Sequence, residues 1–124
     1  MPPPSTWGPA TYLAVTSGAV TAALGLNVFL NPHHHTALLG RPLTASDRPL
    51  LGLYCARNLY IGASLIAVAV WGSKRALGAL MAAQAVVALV DGLVVRLTAG
   101  TGAEWKHWPA VPLLGWIAGA LLWP

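Results

Sequence analysis

The sequence predicts an all-α integral membrane protein built as a four-helix bundle, and three observations carry that prediction. Of 124 residues, 56% are hydrophobic and only 8% are charged, with a mean hydropathy of +0.65. A soluble domain carries about 25% charged residues, so this chain has too few to cover a water-facing surface. Four apolar runs, near residues 7–30, 49–71, 76–97 and 109–123, are separated by polar or Pro/Gly links. The two central runs each hide a charge, Arg57 and Asp91, in a segment long enough to cross a bilayer, which takes roughly 20 apolar residues. The length fits one transmembrane domain over residues 1–124, packed as a left-handed bundle.

The first run follows an extended, uncharged tail, Met1-Pro2-Pro3-Pro4-Ser5-Thr6, that lacks the basic start of a secretory signal. Trp7 to Leu30 is therefore read as a membrane helix that stays in place. Its small residues Ala14, Gly18 and Ala22 recur every fourth position, with Thr21 and Gly25 on the adjoining ridge. Such patterning lets helix backbones approach closely in lipid. Asn27, near the far end, reads as a helix–helix or head-group hydrogen bond. Asn31-Pro32 closes the helix, because the residue before proline is pushed out of the helical region. Asn31 is then the N-cap, and Pro32 the first residue, of a short interfacial segment ending at Gly40.

Ser46 or Asp47 is placed to cap the second membrane helix, which starts at Pro49. Only Gly72, Ser73, Lys74 and Arg75 separate the second run from the third, so the two must lie antiparallel and adjacent. Arg57 and Asp91 are equidistant from Lys74 along the chain and therefore sit at equal depth. Ser64 and Gln84 are also equidistant from Lys74, each two helical turns from its charge and on the same face. The pattern is a two-rung polar ladder inside a membrane hairpin. Beyond Leu97 comes a flexible loop, 98–102, and then Ala103 to Trp108, where charges and indoles mix as they do at a head-group boundary.

The last run, Pro109 to Trp123, covers only roughly 22 Å as a helix. Either it starts earlier, near Glu104, or it spans thin and is anchored by Trp105, Trp108 and Trp123. Pro112 falls in its first turn, where helix N–H groups have no partner anyway. Gly115 and Gly119 form a GxxxG strip expected to receive the first helix through Gly18 and Ala22, with pairing to a second copy as the alternative. Four spans put Arg41, Arg48, Arg96 and Lys106 on the side of the long loops, and Lys74 and Arg75 on the side of the termini. That asymmetry favours the long loops in the cytoplasm.

The net charge of +4 points to anionic lipid head groups, with no basic run and interleaved aromatics to suggest nucleic acid. Cys55 is the only cysteine, so an intramolecular disulfide is excluded, and its apolar neighbourhood reads as packing. Consecutive histidines point about 100° apart on a helix, so His33, His34 and His35 cannot all chelate one ion there. His107 joins them only if two loops meet on one side. Neither a metal nor a cofactor is expected.

An ionisable residue within a membrane span costs at least about 2.5–3.5 kcal/mol on insertion scales, so it is paired or functional. Read structurally, Arg57–Asp91 is a buried bridge that sets the hairpin's register, with Tyr54 and Asn58 meeting spare donors. Read functionally, a pocket beside the bridge is lined by Tyr54, Asn58, Tyr60, Ser64 and Gln84, and Asp91 and Arg57 are the catalytic candidates. Asp91 would then donate or accept a proton, as cyclisation or isomerisation of a hydrophobic substrate requires. No nucleophile–base pair, phosphate loop, haem motif or cysteine pair is present, which disfavours hydride, phosphoryl and acyl transfer.

An apolar first helix ending in Asn31-Pro32, the triplet Ala56-Arg57-Asn58 and the pair Asp91-Gly92 occur here in order. In these features the chain resembles the domain of unknown function 4267 family, small four-helix membrane proteins that are common in filamentous fungi and distantly similar to the DoxX-like group. The resemblance covers most of the chain and implies a tailoring step on a lipophilic intermediate of secondary metabolism, in the endoplasmic reticulum or another endomembrane. Three classes stay open: a small enzyme or accessory protein, a non-catalytic scaffold or assembly subunit, and an oligomeric proton-coupled carrier. Partners are the bilayer, a lipophilic small molecule, and a second copy or another membrane protein.

Overall fold

The computed structural model describes residues 7–34 and 44–123. The N-terminal tail and residues 35–43, which include His35, Arg41 and the rest of the expected interfacial segment, lie outside the described residues; Pro32, His33 and His34, where that segment begins, are helical. Among the described residues, four long or complete α-helices run in chain order, α1 Pro9–Leu30, α2 Arg48–Trp71, α3 Lys74–Ala99 and α4 Ala110–Leu122, and residues 32–34 are helical as well. Single 3₁₀ turns at Ala45–Asp47 and Ala103–Lys106 precede α2 and α4, and no strand occurs among the described residues.

Helices α1, α2 and α3 are long and apolar enough to cross a membrane. At 22, 24 and 26 residues, they measure about 33, 36 and 39 Å, against a hydrocarbon core of about 30 Å. Their outward faces carry Phe29, Leu53, Val86, Val90 and Leu97, all exposed. Water would not tolerate that surface, and lipid suits it. The fourth helix has 13 residues, about 20 Å, too short to cross unaided. Glu104 belongs to the separate 3₁₀ turn, so α4 does not begin there.

Local chemistry sets the helix ends. Proline is the first residue of α1 and the second of α2, positions in the first turn where its missing N–H removes nothing from the ladder. Asp47 stands before α2 but bonds backwards: its Oδ2 accepts from Thr44 N at 2.9 Å and Thr44 Oγ1 at 2.6 Å, and α2 begins at Arg48 rather than Pro49. Ser73 caps α3, its Oγ accepting from Ala76 N at 3.1 Å, so the basic pair Lys74-Arg75 lies inside the helix rather than in the turn. Asn31 ends α1 and stands at the N-cap position of the helical residues 32–34, its O accepting from His34 N at 3.1 Å, while its Nδ2 reaches back to Asn27 Oδ1 at 2.9 Å.

The helices pack as two intimate pairs, α1 on α2 and α3 on α4. Glycines make the first pair possible. A Cβ on Gly62 would lie 2.5 Å from Gly18 O, and one on Gly25 would lie 3.0 Å from Cys55 O. The two backbones therefore nearly touch at two levels. The small-residue ridge of α1 thus receives α2, not α4. On α4, Gly115 and Gly119 have open space where a Cβ would stand. The strip faces outward because the helix buries its other side, Leu114, Ile117, Ala118 and Leu121, against Leu77 and Met81 of α3.

The main core lies at the hairpin end, where Ala14, Leu65, Ala69, Leu77, Met81 and Ile117 meet. A smaller cluster, Val28, Leu51 and Cys55, joins α1 to α2 at the opposite end. No shared apolar cluster joins α2 to α3 at the level of Arg57. That gap shapes the site.

Candidate functional site

Arg57 stands midway along α2 and Asp91 in the second half of α3. Their side chains meet in a bidentate pair, with Nη1 donating to Oδ1 at 2.9 Å and Nη2 to Oδ2 at 2.8 Å. Fork-to-fork geometry is the strong form of this contact, because two parallel charge-assisted bonds fix both planes. The guanidinium carbon lies 4.7 Å from the centroid of the Tyr54 ring, a cation–π contact from one turn earlier on α2. The pair is not sealed inside the bundle: the side chains are 36% and 20% exposed, at the edge of the groove between α2 and α3. Arg57 Nε is covered and has no partner.

About one helical turn from the pair towards the hairpin, α2 and α3 line a cleft of about 120 Å³. Tyr60, Ile61, Ser64 and Leu65 of α2 form one wall. Leu80, Ala83, Gln84 and Val87 of α3 form the other. The short side chains Ser64 and Ala83 leave the space that larger residues would fill. Of the pocket residues expected from sequence, Tyr60, Ser64 and Gln84 line it. Tyr54 stacks on Arg57 instead. Asn58 turns towards α1, only 6% exposed, with its Cβ 3.1 Å from where a Cβ on Gly25 would sit. It neither lines the cleft nor bonds Arg57.

The second rung of the ladder is built differently from the sequence expectation. Gln84 Nε2 donates at 2.8 Å to Thr21 Oγ1 of α1, and the Thr21 hydroxyl donates at 2.8 Å to Ser17 O. Because that hydroxyl proton is committed to Ser17 O, Thr21 can only accept from Gln84, which fixes the amide's orientation. Gln84 Oε1 is left covered and without a partner. Thr21 is the residue that sequence reasoning missed in this role. It was visible only as a small residue on the α1 ridge, since no short turn ties the depth of α1 to that of α3.

The other polar groups lie away from the cleft. Asn27 Nδ2 and His34 Nδ1 are 3.1 Å apart at the end of α1. Glu104 is buried and accepts from Gly102 N at 2.6 Å. His107 packs on Gly92, with its Nε2 covered and unpartnered. Among the described residues, no three His, Cys, Asp or Glu side chains group closely enough to hold a metal ion. Asp91 is thus a carboxylate one helical turn beyond the cleft lining, paired with a guanidinium.

Three membrane-length helices, a short fourth and a charge pair within the spans define a small all-α membrane protein. Residues 18–122 match the family described as domain of unknown function (DUF4267), and the chain belongs to that family. No curated protein and no solved structure matches it.

Proposed function

We propose that this membrane protein acts on a lipophilic intermediate, as an acid–base tailoring enzyme of the cyclase or isomerase type or as its accessory protein. The reading rests on one observation, the Arg57–Asp91 pair about one helical turn from an apolar cleft within the apolar helices. An isomerisation moves one proton and needs no oxidant or external nucleophile. Asp91 takes a proton from carbon, Arg57 stabilises the negative charge that develops on a neighbouring ligand oxygen, and the same proton returns at a second carbon. The sequence resemblance adds the setting: fungal secondary metabolism, in the endoplasmic reticulum or another endomembrane.

Asp91→Asn tests this directly. The variant keeps a polar group of the same shape and should fold, yet it should abolish conversion. A strain carrying it, like a deletion strain, should accumulate an uncyclised or unisomerised precursor. Normal metabolite levels with Asp91→Asn would overturn the catalytic reading. The bidentate geometry also favours a second reading, a scaffold in which the pair holds α2 to α3 where apolar packing is thin. On that reading Arg57→Leu with Asp91→Leu together would keep the metabolic phenotype normal.

A further inference from the structure

We infer that the α2–α3 cleft holds the tail of a single-chain amphiphile whose small uncharged head, a hydroxyl, aldehyde or amide, sits on the Arg57–Asp91 pair. The inference builds on the proposed function and names the class of molecule that the site would take. Size comes first. A cavity of about 150 Å³ takes benzene, so a cleft of about 120 Å³ holds a stretch of one extended chain, the rest of which lies in the lipid beyond the open rim, and excludes fused ring systems.

Position sets the polarity. Tyr60 and Val87, the cleft residues nearest the pair along their helices, lie about one helical turn from Arg57 and Asp91, about 4.5 and 6 Å. From Val87 to Leu80 the cleft runs about 10 Å further towards the hairpin. A ligand therefore has its head at one end and its apolar length along the helices.

Charge selects the head. Asp91 already cancels the guanidinium in bidentate contact, so the pair offers no net charge. Each Nη still has a second N–H to donate, and each carboxylate oxygen a second lone pair. A hydroxyl or amide can use both. A carboxylate head would face Asp91, and an ammonium head would face Arg57.

Depth excludes ordinary phospholipid. Arg57 lies about 14 Å along α2 from its start, a depth that falls within a hydrocarbon core about 30 Å thick. A phosphate head group does not reach that depth, whereas a small neutral head does. Tyr60, 74% exposed at mid-helix, forms the rim, so the cleft opens sideways and a bilayer-dissolved amphiphile enters from the lipid.

The test is photolabelling of the full chain in phosphatidylcholine nanodiscs with a dodecanol analogue that carries a mid-chain diazirine. Label should concentrate on peptides containing residues 60–65 and 80–87 and be competed by dodecanol about tenfold better than by dodecanoate or dodecylammonium, a difference of about 1.4 kcal/mol. Ala83→Phe and Ser64→Leu, each with an unchanged melting temperature, should fill the cleft and bring labelling to background. Gly115→Leu, on the outward face of α4, should leave it intact. Equal competition by the charged amphiphiles, labelling spread over all lipid-facing helices, or indifference to both filling variants would overturn the inference. Turnover is a separate readout. Site-specific labelling with a fully active Asp91→Asn would sink only the enzyme reading, and the reverse pattern only the ligand class.

Discussion

Arg57 and Asp91, 34 residues apart in sequence, close the α2–α3 hairpin with two hydrogen bonds of 2.9 and 2.8 Å at a level where no apolar cluster joins the two helices. The pair is therefore the principal tie between α2 and α3 at that depth. Breaking a buried pair costs about 3–5 kcal/mol, while replacing both partners is often neutral. With the Arg57 side chain 36% exposed, the loss should fall below that range. Arg57→Leu and Asp91→Leu should each lower the melting temperature in detergent, and the double variant should recover much of the difference. A double variant as unstable as the worse single one would show that the pair is not the tie.

Gly62 and Gly119 are predicted to respond oppositely to the same substitution. Alanine at Gly62 would place its Cβ 2.5 Å from Gly18 O, a backbone atom, so the helices must separate. Overpacking of that kind costs about 1–3 kcal/mol. Alanine at Gly119 meets nothing within 4 Å, and the gain in helix propensity should leave stability equal or raised by up to about 1 kcal/mol. Thermal melts of the two variants decide it, and a stable Gly62→Ala would contradict the α1–α2 contact.

Thr21→Val should destabilise more than Gln84→Leu. The first leaves a half-buried amide with neither end bonded, and since an unmet donor costs about 1–3 kcal/mol when fully buried, the loss should lie towards the low end of that range. The second removes the whole amide and leaves the Thr21 hydroxyl on Ser17 O. The reverse order in melting temperature would place the Gln84 bond elsewhere.

Cysteines placed at Ser73 and Thr101, in a chain with Cys55 replaced by serine, should label from opposite sides of the membrane. The two positions flank α3, whose 26 residues exceed the bilayer core. Labelling of both from one side would remove α3 as a span.

Much of this architecture was legible without coordinates because a short link, Gly72-Ser73 once Lys74-Arg75 join α3, makes α2 and α3 antiparallel neighbours even though their close packing is against α1 and α4. That constraint placed Arg57 opposite Asp91, and the cost of a lone charge in lipid made them meet. The apolar runs themselves marked the long helices, since an outward surface of Phe29, Leu53 and Val86 is stable only in lipid.

What the tertiary structure alone decided is which face of each helix meets which neighbour. Gly18 and Ala22 suit any close partner, and nothing in their spacing chooses α2 over α4. The choice follows from Gly62, whose missing side chain lets α1 sink onto α2, while α4 spends its larger residues on α3 and leaves Gly115 and Gly119 facing out. For the same reason Gln84 bonds Thr21 rather than Ser64, which is at its own depth: α1 lies within hydrogen-bond reach, while the cleft stands between α2 and α3. Depth along a helix is written in residue numbers. Rotation about its axis is settled by the packing of all the helices together.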